Sequence, residues 1–251
     1  MSSHRTAVAT FAIALACVCA GRAHAQIPDK FTNLKVLPKD IQKQDLVRIM
    51  RGFSAALNVR CIHCHKGDDP LDLSKVDFAS DDKENKIVAR AMMGMTKNIN
   101  ATLQTDIGTM RPQHLDVTCY TCHHGNSRPE TLEHALVTEL DADGVDSTLA
   151  LYRQLRGEYY GRAAYDFGEW SLISIAENLP HDAKHEDAAL ALLNENLVFY
   201  KDSAGTYARL GETYLAKGDT TSALVNFNKA AALAPDDPWL KRRIERISGK
   251  K

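Results

Sequence analysis

Two five-residue segments of this chain have side chains at a spacing that can do chemistry. Cys61-Ile62-His63-Cys64-His65 and Cys119-Tyr120-Thr121-Cys122-His123 both read Cys-x-x-Cys-His. That is the attachment pattern of a c-type haem. Two thiols about one helical turn apart can each bond a vinyl group of one porphyrin. The histidine that follows can then supply a nitrogen ligand to the iron. Cys61, Cys64, Cys119 and Cys122 are therefore the expected attachment residues for two covalently bound haems. His65 and His123 are the expected proximal ligands.

Three plainer readings compete. Four cysteines could pair as two disulfides, bind one zinc as a split four-cysteine site, or form a thioredoxin-like redox pair. The first two leave both histidines unexplained. The third expects one Cys-x-x-Cys in an α/β pattern, and the sequence shows no strand pattern.

A six-coordinate haem needs a second axial ligand, usually Met or His. Asp40 to Asn58 reads as an amphipathic helix, with Leu46, Met50, Phe53 and Leu57 on one face. Met50 precedes Cys61 by enough chain for the helix to fold back over the next haem. A second helix is expected from an N-cap at Ser80 to about Ala101, with Asp81 and Asp82 in its first turn. Val88, Ala91, Met92, Met95 and Ile99 form its apolar stripe, and Met93 points away from it. Met95, Met92 and His114 are the candidates for the second iron. Core packing is the plain alternative for each methionine. His63 and His124 read as exposed or propionate-binding. His134, His181 and His185 read as surface residues.

The first 25 residues have the three-part pattern of a secretory signal. Arg5 is the charge, Ala7 to Ala20 the apolar run, and Ala23-His24-Ala25 the cleavage site. A cut there removes Cys17 and Cys19; lipid attachment at Cys17 is the rival reading. The chain is therefore expected in the periplasm or on the outer face of the cytoplasmic membrane.

Overall composition is that of an ordinary globular protein of 251 residues, 44% hydrophobic and 25% charged. The net charge of −1 gives no reason to expect nucleic acid as a partner. Charge nevertheless divides the chain. Gln26 to Glu130 has 15 basic and 13 acidic residues, and Thr131 to Lys251 has 14 and 19.

The C-terminal half matches a helical repeat. Tyr207, Leu210, Gly211, Tyr214, Ala223, Phe227, Ala230 and Pro235 stand at the key positions of a 34-residue tetratricopeptide repeat over Ala204 to Asp237. Gly218-Asp219 makes its turn. Phe167 to Asp202 gives a weaker repeat, and Trp239 to Ile247 a capping helix with Lys241, Arg242, Arg243 and Arg246 in solvent. A helix over Ser147 to Tyr160 is capped by Asp146 or Ser147. Asp141 to Asp146 resembles a calcium loop, but its glycine is misplaced and no Glu closes it. It reads as a linker.

The N-terminal half resembles the photosynthetic reaction-centre cytochrome c subunit family. The resemblance rests on Leu37-Pro38-Lys39-Asp40, Ile49-Met50-Arg51-Gly52-Phe53, Asn58-Val59-Arg60-Cys61, Asp77-Phe78-Ala79-Ser80-Asp81, Ala89-Arg90-Ala91-Met92, Met95-Thr96, Ile99-Asn100 and Val117-Thr118-Cys119 to His123. It covers about Leu34 to Pro129. It implies helix–loop–haem units in which a methionine of the preceding helix covers the iron. The family's methionines fall on Met50 and Met95, which places Met95 ahead of Met92. Relatives that serve reaction centres typically carry four haems, whereas two motifs stand here. The family's Cys-His-Arg-Gly is Cys122-His123-His124-Gly125 in this chain, and the family does not generally carry the C-terminal repeats.

The expected fold is all-α: a dihaem cytochrome c domain over 26–130, a linker and helix over 131–166, and tetratricopeptide repeats with a capping helix over 167–251. The expected function is single-electron transfer between redox proteins, one of them possible as a membrane complex, with the repeats docking a protein partner. No catalytic acid or base is expected. The alternatives are a dihaem peroxidase-type enzyme with one open iron, and a repeat scaffold whose haems sense redox state.

Overall fold

The computed structural model describes residues 27–108 and 116–249. The expected signal segment, with Cys17, lies outside the described residues. The described chain is all-helical, apart from one antiparallel bridge between Lys66 and Asp77. Its contacts divide into two compact units. One joins the chain up to Ile41 with Cys61–Arg90, and the other joins Gln42–Arg60 with Ala91 onward.

In the first unit an ionic cluster does the work of a core. Asp81 accepts from Lys35 at 2.6 Å, Arg90 at 2.8 Å and Asn33 at 2.8 Å. Buried Lys86 donates to the carbonyls of Phe78, Ala79 and Ser80 at 2.6–3.1 Å. Three backbone acceptors satisfy the ammonium, which makes its burial tolerable. These bonds hold the 77–82 loop on the start of α2 (Glu84–Thr102). Ser80 is not the cap of that helix. Its hydroxyl accepts from the Asp82 amide at 3.1 Å, before the helix begins, as short polar side chains do in turns.

The second unit begins with α1 (Lys43–Leu57), which stops where Asn58 turns left-handed at φ 54°. It packs against α3 (Cys119–His123). The rest is a stack of helical hairpins: α4 (Leu132–Asp143) with α5 (Val145–Tyr159), α6 (Glu169–Asn178) with α7 (Ala183–Phe199), and α8 (Ala204–Ala216) with α9 (Thr220–Leu233). Helix α10 (Pro238–Ile247) closes the end on α9. First helices touch first helices in the order α4, α6, α8, and α5 touches α7. Such repetition buries a continuous core that no single hairpin could bury. Leu136, Tyr152, Leu172, Ile173, Leu192 and Leu193 form that core, and Ala223, Phe227, Ala230 and Leu240 extend it.

The caps are legible one by one. Thr131, Asp182, Ser203, Asp219 and Asp237 each accept from a backbone amide of the first turn of α4, α7, α8, α9 and α10. Gly211 lets α8 and α9 approach, because a Cβ there would lie 2.8 Å from the Phe227 ring.

Three expectations are corrected. The linker is no linker: Leu132, Leu136 and Leu140 of α4 are buried in the hairpin core. Residues 141–143 finish that helix, and Gly144 at φ 83° turns the chain directly into α5. Neither Asp146 nor Ser147 caps α5, since Val145 already lies within it. The Gly144 carbonyl instead accepts from Thr148, through both its amide and its hydroxyl. Arg243 is not simply solvated either, because it forks onto the Glu212 carboxylate.

Candidate haem-attachment sites

The first motif is a tight turn rather than a regular helix. Cys61–His63 forms a single 3₁₀ turn, and the Cys61 carbonyl accepts from both the Cys64 and His65 amides. The chain beyond is pinned by close packing: a Cβ on Gly67 would lie 2.9 Å from the Val76 side chain. The Asp77 amide donates to the Lys66 carbonyl at 2.8 Å, bringing Phe78 beside His65. The two rings meet edge to face, with centroids 5.0 Å apart. Burial, and after it the Lys86 charge, lowers the His65 pKa and favours the neutral imidazole. Its Nδ1 is buried and has no hydrogen bond of normal geometry. Burial also raises the Cys64 thiol pKa, with Cys61 adding to the effect.

The second motif is a true helical turn with fixed ends. The Asn100 side chain pairs with both backbone groups of Val117, at 2.7 and 2.8 Å, and so delivers the chain to Thr118. The Thr118 amide donates to the Thr121 hydroxyl at 3.0 Å. At the far end His124 turns left-handed, and the Gly125 amide donates to the Ala56 carbonyl of α1 at 2.9 Å. His123 Nδ1 lies 2.8 Å from the Asn126 carbonyl oxygen. That oxygen can only accept, so Nδ1 carries the proton and Nε2 presents its lone pair. This is the tautomer an Nε2 iron ligand needs. Burial raises the Cys119 thiol pKa.

The methionines stand apart from the folded core. Met50 is half-buried on α1. Met92 and Met95 are exposed on α2, at 41% and 48%. Met95 lines an open hollow with Ala91, Gly94, Asn98, Ile99 and Leu103. His114 lies outside the described residues. His63 is half-buried, its carbonyl accepting from Asn85, and His124 packs edge-on against Tyr120. His134 and His181 are exposed, but His185 leans on the Asp182 carboxylate at 2.7 Å.

These residues fit a covalently held porphyrin. All four motif cysteines are free thiols. Among the described residues no three His, Cys, Asp or Glu side chains gather to hold a bare metal ion. Described residues 27–131 bury only Leu46, Ala56 and Val76 as apolar side chains, against twenty in 132–249. A segment with so thin a core suits a fold completed by a large apolar group.

Sequence reasoning missed Asn126, Tyr165 and the bonding role of Asp81, Lys86 and Arg90. The one local signal for Asn126 is its place three residues after His123, where its carbonyl can reach back to the ring.

Such motifs define a c-type cytochrome, the class that carries covalently bound haem. The chain belongs to the photosynthetic reaction centre cytochrome c subunit family, whose model matches residues 5–148. Curated relatives agree. The photosynthetic reaction center cytochrome c subunit of Roseobacter denitrificans is 30% identical over 106 residues, 41% of this chain and 26% of that protein. Cytochrome c-554 of Chloroflexus aurantiacus is 31% identical over 46% of this chain and 25% of its own length. The reaction center cytochrome subunit of Rubrivivax gelatinosus is 32% identical over 41% and 24%. The chain thus spans about a quarter of the length of the curated relatives it matches. No solved structure matches it significantly. Among the described residues no helix is long and apolar enough to cross a membrane.

Proposed function

We propose that this chain is an exported dihaem cytochrome c that passes single electrons between protein partners. The observation that carries the reading is the repeated Cys-x-x-Cys-His turn with free thiols, one of whose histidines is already held in the iron-binding tautomer. Cys61 and Cys64 hold one haem, and Cys119 and Cys122 the other. Each haem, when bound, supplies one-electron iron chemistry. The chain's own residues set where that chemistry happens and how readily. His65 and His123 are the proximal ligands. Met50 and Met95 are the distal ligands, with Met92 and His114 the alternatives at the second iron. Methionine raises the potential relative to a second histidine. The histidines serve as neutral ligands, and no side chain acts as catalytic acid or base.

The domain division we propose is 26–130 for the cytochrome and 167–251 for tetratricopeptide-like repeats that dock a redox partner, with 131–166 adding a helical hairpin that packs on those repeats. A groove in the second unit supports docking. It is lined by Trp170, Arg209, Trp239, Arg242, Arg243 and Arg246. Both tryptophans are exposed, and Arg242 and Arg246 extend into solvent. The names of the relatives support a donor or acceptor in a membrane complex. A signal segment supports placement in the periplasm or at the outer membrane face.

The deciding experiment is a haem count with an optical spectrum. The full chain is expressed with a c-type haem maturation system, and its intact mass and oxidised and reduced spectra are recorded. Two covalent, low-spin haems are expected. One high-spin haem turns the reading towards a dihaem peroxidase. No covalent haem overturns it.

A further inference from the structure

We propose that Asn126 and Tyr165 are positioning residues for His123, so that the hairpin stack forms part of the second haem site. The inference rests on the reading of His123 as the proximal ligand.

Asn126 is 7% exposed, although it lies in the turn that leaves α3. Each of its polar groups is engaged. The backbone carbonyl accepts a hydrogen bond from His123 Nδ1–H at 2.8 Å, and the backbone amide donates to the His123 carbonyl at 2.7 Å. Oδ1 accepts from the Arg128 amide at 3.1 Å. Nδ2 donates to the Tyr165 hydroxyl at 2.7 Å, across 39 positions of sequence. The residue that orients the imidazole is thus itself oriented from the hairpin stack.

Tyr165 is a firm support. It lies between α5 and α6, and its ring packs edge-on against Tyr159 at 5.4 Å and Phe167 at 6.0 Å. Phe167 is 4% exposed, and its carbonyl accepts from Arg156 at 2.9 Å and Tyr200 at 2.6 Å. The loop that carries Tyr165 is thus fastened at several points. His65, by contrast, has no hydrogen bond of normal geometry at Nδ1.

A hydrogen bond from Nδ1–H fixes ring rotation and strengthens nitrogen donation to the metal. Loosening the acceptor weakens that donation and favours the reduced iron. Tyr165→Phe tests this in the full-length holoprotein, because it deletes one hydroxyl and keeps the ring packing. Cys61→Ser/Cys64→Ser identifies which potential belongs to the second haem. We expect Tyr165→Phe to raise the midpoint potential of the haem held by Cys119 and Cys122, leaving the other unchanged. The His123 Nδ1 proton should also exchange faster by NMR. Asn126→Ala, which removes both side-chain anchors but keeps the carbonyl, should act in the same direction and more strongly. Unchanged potentials in Tyr165→Phe overturn the proposal, as do equal shifts at both haems, which would mean general loosening. If the wild type carries no haem at Cys119 and Cys122, the dihaem reading itself falls. A haem there with an unmoved potential sinks only the positioning role.

Discussion

The Gly125 amide and the Ala56 carbonyl, 69 positions apart, form a 2.9 Å hydrogen bond that ties the exit of the second Cys-x-x-Cys-His helix to the last turn of α1. Ala56 is 2% exposed, so the bond is shielded from water. Gly125 makes it at φ 85°, where a side chain is strained, although nothing lies within 4 Å of a Cβ built there.

Gly125→Ala is therefore expected to destabilise through backbone strain alone, by about 1–2 kcal/mol. Gly157→Ala is the control. Gly157 lies inside α5 with open space around it, and alanine there should stabilise by about 0.5–1 kcal/mol. Thermal unfolding of the holoprotein, followed by circular dichroism, separates the two signs.

Asp81 is expected to make the first unit acid-sensitive. Lys35 first, then Arg90 and Lys86, hold its carboxyl well below the usual carboxylate range. A depressed carboxylate contributes stability in full above its unfolded pKa of about 3.9, and loses it as pH falls towards the folded value. Asp81→Asn should lower the urea midpoint at neutral pH, and the gap to wild type should narrow progressively as pH is lowered below about 3.9. A gap that stays constant with pH would refute the ionic account.

The hairpin of α8 and α9 predicts a steric effect. A Cβ at Gly211 meets three atoms of the fully buried Phe227 ring at 2.8–2.9 Å. Gly211→Ala should cost about 1–3 kcal/mol by overpacking. The loss should appear in the melting temperature, with the haem spectrum unchanged.

Axial ligation makes the fourth prediction. Met50→Ala and Met95→Ala should each remove about half of the weak methionine–iron band at the red end of the oxidised spectrum. Met92→Ala should leave the band intact. Loss of the band in Met92→Ala instead of Met95→Ala would exchange their roles.

Much of this molecule was legible locally. Cys-x-x-Cys-His is a matter of covalent reach over five residues, so no packing was needed to recognise it. The turn at Gly218-Asp219 likewise acts within one helical turn. The repeat spacing marked Gly211 and Phe227 as key positions, while their close fit shows only in the fold. Ser80 misled because a hydroxyl that caps a helix and one that closes a short turn look alike in sequence. Residues 141–146 read as a linker because they are mostly Asp, Ala and Gly, whereas the chain there finishes α4 and turns at Gly144 into α5.

The sequence alone determined the repeated Cys-x-x-Cys-His pattern and the all-helical class, because these depend on neighbours within a few residues. Only the tertiary structure decided that Asn126 joins His123 to Tyr165, that Asp81 gathers Lys35 and Arg90, and that α4 belongs to the hairpin stack. Those contacts join residues as much as 46 positions apart, as in the Lys35–Asp81 pair. They form only where burial and chain direction bring matched donors and acceptors together, and residue order does not specify that meeting by itself.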